Sequence, residues 1–395
     1  MNVEEQTLLV LLVAFVAGVA LGRVWASARA SHRADRRRKT SSIHYILGLD
    51  FLASRQIDRA VSELTIAARK DTEAIEIYLI LGNLLREKGQ LERAIQIHQS
   101  ILHRPGLSGD ERAHALLCLG MDFKRAGFRN RATDTFQEVV ELDPENAYAL
   151  SNLIKIYEGE HDWEQALATQ EKLSQVSGEL DTTLKAFLYD QIGQAAAQAE
   201  EGLLAVRAFE NAIRTEPRVS APYLHYGDML EGQGRLEEAE AKWLALASDN
   251  PRLAYLVFER LRRVREKLGR VEAMTELFKG VIDADDNDWR AHLALARDQK
   301  ERGETDEAFG LLMEAVRTNP HALAVHLEVW RSLVSVNERP ARVQTYLDEV
   351  AQSSFFLDPY ICMKCNYRAN GILWRCPHCQ EWNTFVEERV ETVDR

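Results

Sequence analysis

Two hydrophobic patterns divide the chain. From Thr7 to Gly22 the run TLLVLLVAFVAGVALG carries no charge. Val24, Trp25 and Ala26 extend it past one arginine, whose stem can snorkel to the headgroup level. A bilayer crossing needs about 20 largely apolar residues. The pattern predicts a transmembrane helix over residues 6–26, with Trp25 in the interfacial belt. Beyond residue 40 the pattern shifts to helical spacing. Short apolar-periodic segments alternate with glycine and polar turns, which predicts a long succession of helix pairs.

The pairs repeat. Equivalent alanines stand at Ala60, Ala94, Ala132, Ala166, Ala205, Ala239, Ala273 and Ala308, with spacings of 34, 38, 34, 39, 34, 34 and 35. A modal period of 34 is that of the tetratricopeptide repeat. Gly48, Gly82, Gly120, Gly193 and Gly227 each precede a marker alanine by twelve residues and predict close approach of the paired helices. Phe136, Phe209 and Trp243 follow it by four, as packing knobs. Gly89, Gly127, Gly234, Gly269 and Gly303 mark the turn between the two helices. Pro144, Pro217, Pro251 and Pro320 end the second helix. The two long spacings place insertions near 104–109 and 174–181, which are candidate hinges. The period gives eight repeats over about 41–321 and a weaker, capping ninth over 322–355.

The fold class is therefore all-α: a tetratricopeptide-repeat superhelical solenoid between a transmembrane helix and a small C-terminal metal domain. The expected organisation is an anchor at 1–26, a basic juxtamembrane segment at 27–40, and about nine repeats over 41–355. A four-cysteine domain at 356–390 and a tail at 391–395 complete it. Such solenoids bind peptides or proteins in a groove lined by the first helix of each pair. The repeat phase places Leu79, Asn83, Arg86, Lys124 and Lys155 in its N-terminal part. They predict a basic and polar stretch suited to an acidic or carboxylate-terminated segment.

Four of the five cysteines form Cys362-x-x-Cys365 and Cys376-x-x-Cys379, ten residues apart. Two such turns can set four thiolates tetrahedrally around one ion, zinc or a single iron. Asn370-Gly371 is a turn signal, and Tyr367, Ile372, Leu373 and Trp374 read as strand residues. Trp382 and Phe385 are expected to form the domain's small core. Four thiolates close the shell, so His378 is expected to stay out of it and the site to be structural. Cys118, alone in a helical segment, reads as a small buried apolar residue.

Charge refines the picture. The net charge is −12. Residues 1–22 carry −2, residues 23–39 carry +6, and the remaining body carries −16. Cations after the apolar run, and glutamates before it, put residues 23 onward in the cytoplasm and the short N-terminus outside. An acidic body argues against nucleic acid. No phosphate-binding glycine loop, G-x-S-x-G or H-E-x-x-H occurs, so no enzyme activity is expected. Four readings remain at this point: a non-catalytic adaptor, an iron electron-transfer protein on a repeat scaffold, a nucleic-acid ribbon, and a hidden enzyme.

The order of anchor, basic segment, repeats and terminal knuckles resembles the lipopolysaccharide assembly protein B (LapB) family of Gram-negative bacteria. The opening repeat HYILGLDFLASRQIDRAV and the ending C-M-K-C…L-W-R-C-P-H-C-Q-E-W carry the resemblance most specifically. It spans essentially the whole chain. It implies a single-pass inner-membrane adaptor that restrains lipopolysaccharide synthesis by bringing the deacetylase LpxC to the membrane protease FtsH. It further implies a regulatory inner-membrane protein acting through the anchor, and it allows a homodimer. The terminal unit would be rubredoxin-like, with one iron or zinc ion on Cys362, Cys365, Cys376 and Cys379. A rubredoxin knuckle typically has glycine after its second cysteine. Here those positions are Asn366 and Gln380, and glutamine fits the left-handed backbone less easily than asparagine does.

Overall fold

The computed structural model describes residues 43–319, 322–336 and 360–387. The expected anchor, the basic segment, Pro320, most of the ninth repeat and the tail lie outside them. Among the described residues no helix is long and apolar enough to cross a membrane.

The chain forms two compact units that divide at Gly178, inside the second expected insertion. The first unit holds a helix over 43–53 (α1), Ile57–Lys70 (α2), Ile75–Glu87 (α3) and Leu91–Leu102 (α4). Gly109–Arg125 (α5), Arg129–Leu142 (α6), Ala147–Glu160 (α7) and Trp163–Ser177 (α8) complete it. The second unit continues with Thr182–Gln198 (α9), Gly202–Thr215 (α10), Ala221–Gly232 (α11) and Leu236–Asp249 (α12). A 3₁₀ segment, Pro251–Val257, leads into Phe258–Leu268 (α13). Ala273–Ala284 (α14), Trp289–Glu301 (α15), Thr305–Thr318 (α16) and Leu323–Val336 (α17) follow. Odd-numbered helices are the first of each pair and even-numbered helices the second.

Five of the described helix pairs are locked by one knob set on one glycine. In α11, a Cβ added at Gly227 would land on Trp243 Nε1 and lie 2.6 Å from its Cε2. Gly193 meets Phe209, Gly120 meets Phe136, and Gly48 meets Leu64 at 2.7–2.8 Å in the same way. These knobs are fully buried and come four residues after the marker alanine, as the period predicts. At Gly82 the knob is His98, also fully buried. The imidazole is tolerated because its Nδ1 lies 2.5 Å from Asp122 Oδ2, whose other oxygen accepts from Arg86 Nη1 at 2.9 Å. Burial works against the charged imidazole, but Asp122 outweighs it and holds the pKa up at about 9. Cys118 is buried beside this cluster, with Leu79, Ile101 and Ala115.

The inter-helix turns close through a left-handed residue. Gly234, at φ 74, is typical of the turn glycines.

One expected marker falls elsewhere. Ala273 is exposed, and the buried residue of the seventh repeat is Met274, with Phe278 four residues on as the knob. The offset accompanies a change in the pair's first helix. Pro251 starts a 3₁₀ segment where other repeats begin an α-helix directly. That segment carries Tyr255 toward the C-terminal domain.

Neighbouring first helices in the second unit are cross-linked by ion pairs. Arg260 chelates Asp228 at 2.6 and 3.0 Å. Glu231 accepts from Arg263 and Lys267, and the Arg263 guanidinium, its main cause, holds that carboxyl down at about 2. Lys300 and Arg297 both reach Glu328. These contacts bridge successive repeats along the first-helix face.

Candidate metal centre

The C-terminal domain is a three-stranded antiparallel sheet. Its strands are Tyr360–Cys362 (β1), Arg368–Ala369 (β2) and Phe385–Glu387 (β3), in the order β2-β1-β3. Expected strand residues Tyr367, Ile372, Leu373 and Trp374 are not in a strand, and an isolated bridge joins Arg375 to Trp382 instead. The knuckles themselves take up the chain there, leaving too few residues for a second long hairpin.

The two knuckles repeat one backbone pattern. Cys362 N–H donates to Tyr367 O at 2.8 Å, and Cys376 N–H donates to Glu381 O at 2.9 Å. Asn366 N–H returns to Cys362 O, and Gln380 N–H to Cys376 O, each at 2.9 Å. Closing this turn requires a left-handed residue after the second cysteine. Asn366 adopts it at φ 58 and Gln380 at φ 66, so the absent glycine has not changed the knuckle.

All four sulfurs lie within 4.8 Å of one another. Cys362 Sγ is 3.7 Å from Cys379 Sγ, and Cys365 Sγ is 3.6 Å from Cys376 Sγ. A tetrahedral site with metal–sulfur bonds of about 2.3 Å has sulfur–sulfur edges of about 3.8 Å. The cysteines therefore form a cluster that can hold one metal ion. His378 is exposed, lies outside the cluster and stacks on Tyr367.

The sulfurs are tuned unequally. Burial pushes the Cys362 thiol up. The Thr384 hydroxyl, 3.1 Å from Sγ, and the N–H groups of Lys364 and Cys365 more than offset that, bringing it down to about 6. Cys365 is pushed up to about 12, first by burial and then by the neighbouring sulfurs. Cys379 is also raised: burial and the sulfurs of Cys376 and Cys362 outweigh the Glu381 N–H, the largest single influence, which lowers it. Thiolates crowded together without a cation resist ionisation, and a cation replaces their protons.

The domain is seated on the second unit's first-helix face. Trp382 stacks on Phe187 of α9 at 4.9 Å, and Trp374 packs beside it at 6.2 Å. Phe187, Ala186, Val219 and Ala221 form the buried floor beneath both rings. Trp382 thus serves the interface, while Phe385 joins Tyr360, Cys362 and Cys376 in the domain's own core. At the other end Arg290 holds Glu387 through both guanidinium nitrogens at 3.1 Å. Trp289 Nε1 donates to the same carboxylate at 3.3 Å. Arg290 also lies over the Tyr255 ring at 4.1 Å. Tyr255 and Tyr360 share a hydroxyl–hydroxyl bond of 2.8 Å, and burial followed by that bond raises the Tyr255 phenol. Both side chains of the Arg290–Glu387 pair are 18% exposed. Replacing Arg290 with alanine leaves a largely buried carboxylate unpaired. The expected cost is about 2–3 kcal/mol, below the full buried-pair figure because of residual solvent. A denaturant titration followed through Trp374 and Trp382 emission measures it.

Sequence reading did not find Phe187, Tyr255 or Arg290. A signal existed: Phe187, Ala221 and Arg290 each stand six residues before the small residue of their repeat, namely Gly193, Gly227 and Ala296. Tyr255 had none, because the 3₁₀ segment breaks the phase.

The five expected groove residues separate. Leu79 and Asn83 line one cleft of about 410 Å³ in the first unit. Arg86 is bound to Asp122 and to Cys118 O. Lys124 Nζ donates to Asn152 Oδ1 at 2.8 Å, and burial, then nearby Lys155, lowers its pKa. Lys155 is exposed.

Comparison with known proteins covers both parts. The tetratricopeptide repeat family profile matches residues 45–106 and 191–252, and that of a rubredoxin metal binding domain matches 360–387. Lipopolysaccharide assembly protein B of Escherichia coli K12 is 26% identical over 386 residues, covering 96% of this chain and 97% of that protein. Its counterpart in Haemophilus influenzae is 24% identical, covering 93% and 95%.

Proposed function

We propose that this chain, which belongs to the lipopolysaccharide assembly protein B family, is a membrane-anchored adaptor that limits lipopolysaccharide synthesis. In this reading it presents an LpxC-type deacetylase to an FtsH-type membrane protease and catalyses nothing itself. The observation that carries the reading is end-to-end correspondence with relatives, together with the seating of the four-cysteine domain on the repeats. The proposed division of labour keeps residues 1–26 as an inner-membrane anchor, 27–40 as a basic collar and 41–355 as the client-binding array. The domain at 356–390 braces that array.

Physical logic supports each part. An anchor confines client and protease to one surface and raises effective concentration without new contacts. Cys362, Cys365, Cys376 and Cys379 would hold the ion. When bound, it supplies a cross-link between the knuckles, with no coordination position left for a substrate. Zinc suits that task, and iron in the same shell would betray itself by visible colour that bleaches on reduction.

The test is affinity capture of the full-length protein from its native membrane, beside a Cys362→Ser/Cys365→Ser variant, with mass spectrometry and a metal assay. Recovery of the protease and the deacetylase with wild type, and loss of both with the variant, is the expected result. Wild type that holds metal but recovers neither protein would end this reading.

A further inference from the structure

The row of first-helix residues that seats the metal domain in the second unit has a counterpart in the first that forms an open cleft among the described residues. Phe187, Ala221 and Arg290 stand six residues before their repeat's small residue. The same phase gives Glu76 before Gly82 and His114 before Gly120. Between these two residues, on α3 and α5, lies the cleft of about 410 Å³. Its floor is apolar: Ile75, Leu79 and Ile80. Asn83 closes one end, and its buried Oδ1 accepts no hydrogen bond among the described residues. Buried amide oxygens left without a donor are uncommon and costly, and this one lies out of solvent contact on a cleft-lining residue.

The rim is acidic. Glu76 opens α3, and Asp110 and Glu111 open α5. Glu111 is engaged in a capping box with Ser108. Glu76 and Asp110 are exposed and have no cation partner among the described residues. Of the cations the sequence phase sent to this face, Arg86 is bound to Asp122, Lys124 to Asn152, and Lys155 does not line the cleft. The ionisable side chains lining the cleft are three carboxylates and His114, with none of the basic residues of that phase among them.

We propose that the α3–α5 cleft is a peptide site that takes a large apolar side chain flanked by lysine or arginine. The inference rests on the adaptor reading and gives the client segment a chemistry. The apolar side chain fills the Ile75–Leu79–Ile80 floor, with Asn83 at its end, and the flanking cations meet Glu76 and Asp110. Charge complementarity selects this occupant over the acidic one, because a carboxylate would face three like charges.

The test uses the full chain in detergent micelles at 0.15 M salt, which screens long-range attraction to the acidic body. The probe is a fluorescein-labelled peptide, GKRLRKG, compared by anisotropy with GKRARKG and GEELEEG. The basic leucine peptide should bind, the alanine peptide about fivefold more weakly, and the acidic peptide not at all. Glu76→Lys with Asp110→Lys should weaken binding about tenfold or more. Glu141→Lys with Glu145→Lys, equally exposed but on another helix and its turn, should leave it unchanged. Undiminished binding in the Glu76/Asp110 variant, equal loss in the Glu141/Glu145 control, or equal affinity for the alanine peptide would each overturn the site. Failure of the adaptor reading is separable. If membrane capture recovers no lipopolysaccharide-synthesis protein while the peptide results stand, the adaptor falls and the cleft remains.

Discussion

Replacing Cys362 and Cys376 with serine, one thiol from each knuckle, is expected to unfold the C-terminal domain and strip it from the repeats while leaving the helices in place. The domain's own core consists of Tyr360, Cys362, Cys376 and Phe385, so half of it belongs to the four-cysteine cluster that can hold an ion. So small a unit cannot bury enough apolar surface to fold alone. Structural zinc contributes roughly 10–16 kcal/mol to such folds at neutral pH, which is their whole folding free energy. The interface depends on the same strands. Tyr360 and Cys362 share β1, and Cys362 pairs with Phe385 two residues before Glu387. Without the ion, Glu387 leaves Arg290, and Trp382 and Trp374 leave Phe187. Four readouts follow: loss of one equivalent of metal, a red shift in tryptophan emission, new protease cleavage within 360–387, and nearly unchanged far-ultraviolet circular dichroism. A metal-free variant that kept its protease protection and blue emission would show that packing alone holds the domain.

The sequence carried the repeat architecture well because that architecture is a packing rule with a fixed period. Gly227 and Trp243 are sixteen residues apart, as are Gly193 and Phe209, and both halves of the pair could be named without coordinates. The cysteine spacing likewise exposed the convergence of the four thiols, since two tight turns leave few other arrangements. Polarity of the groove was harder to read. Arg86 and Lys124 stand in the right phase, but a period cannot say whether a cation is spent on a partner one repeat away. Asp122 is invisible as that partner until α3 and α5 are side by side. The seat of the metal domain was illegible for a related reason. Residues from α9, the 3₁₀ segment and α15 converge there from positions about a hundred residues apart, and no local pattern links them.

The second large effect concerns the knob itself. Gly227→Ala should cost about 3 kcal/mol or more, at the upper end for overpacking, because the added carbon falls on a rigid indole. Trp243 is fully buried and its Nε1 donates toward Leu224 O at 3.4 Å, so it cannot swing away. Trp243→Leu alone should cost about 2–3 kcal/mol through the space it leaves. Together the two substitutions should cost well below their sum, with a coupling of about 2 kcal/mol. The chain already uses that combination: in the eighth repeat the corresponding residues are Ala296 and Leu312, buried in one cluster. Urea midpoints of wild type, both single variants and the double variant close the cycle. Simple additivity would mean that the clash is relieved by moving α11 against α12, and the knob-on-glycine contact would then not be what fixes the pair's spacing. Strong coupling would identify the small residue and the knob as one unit of the fold, replaceable only together.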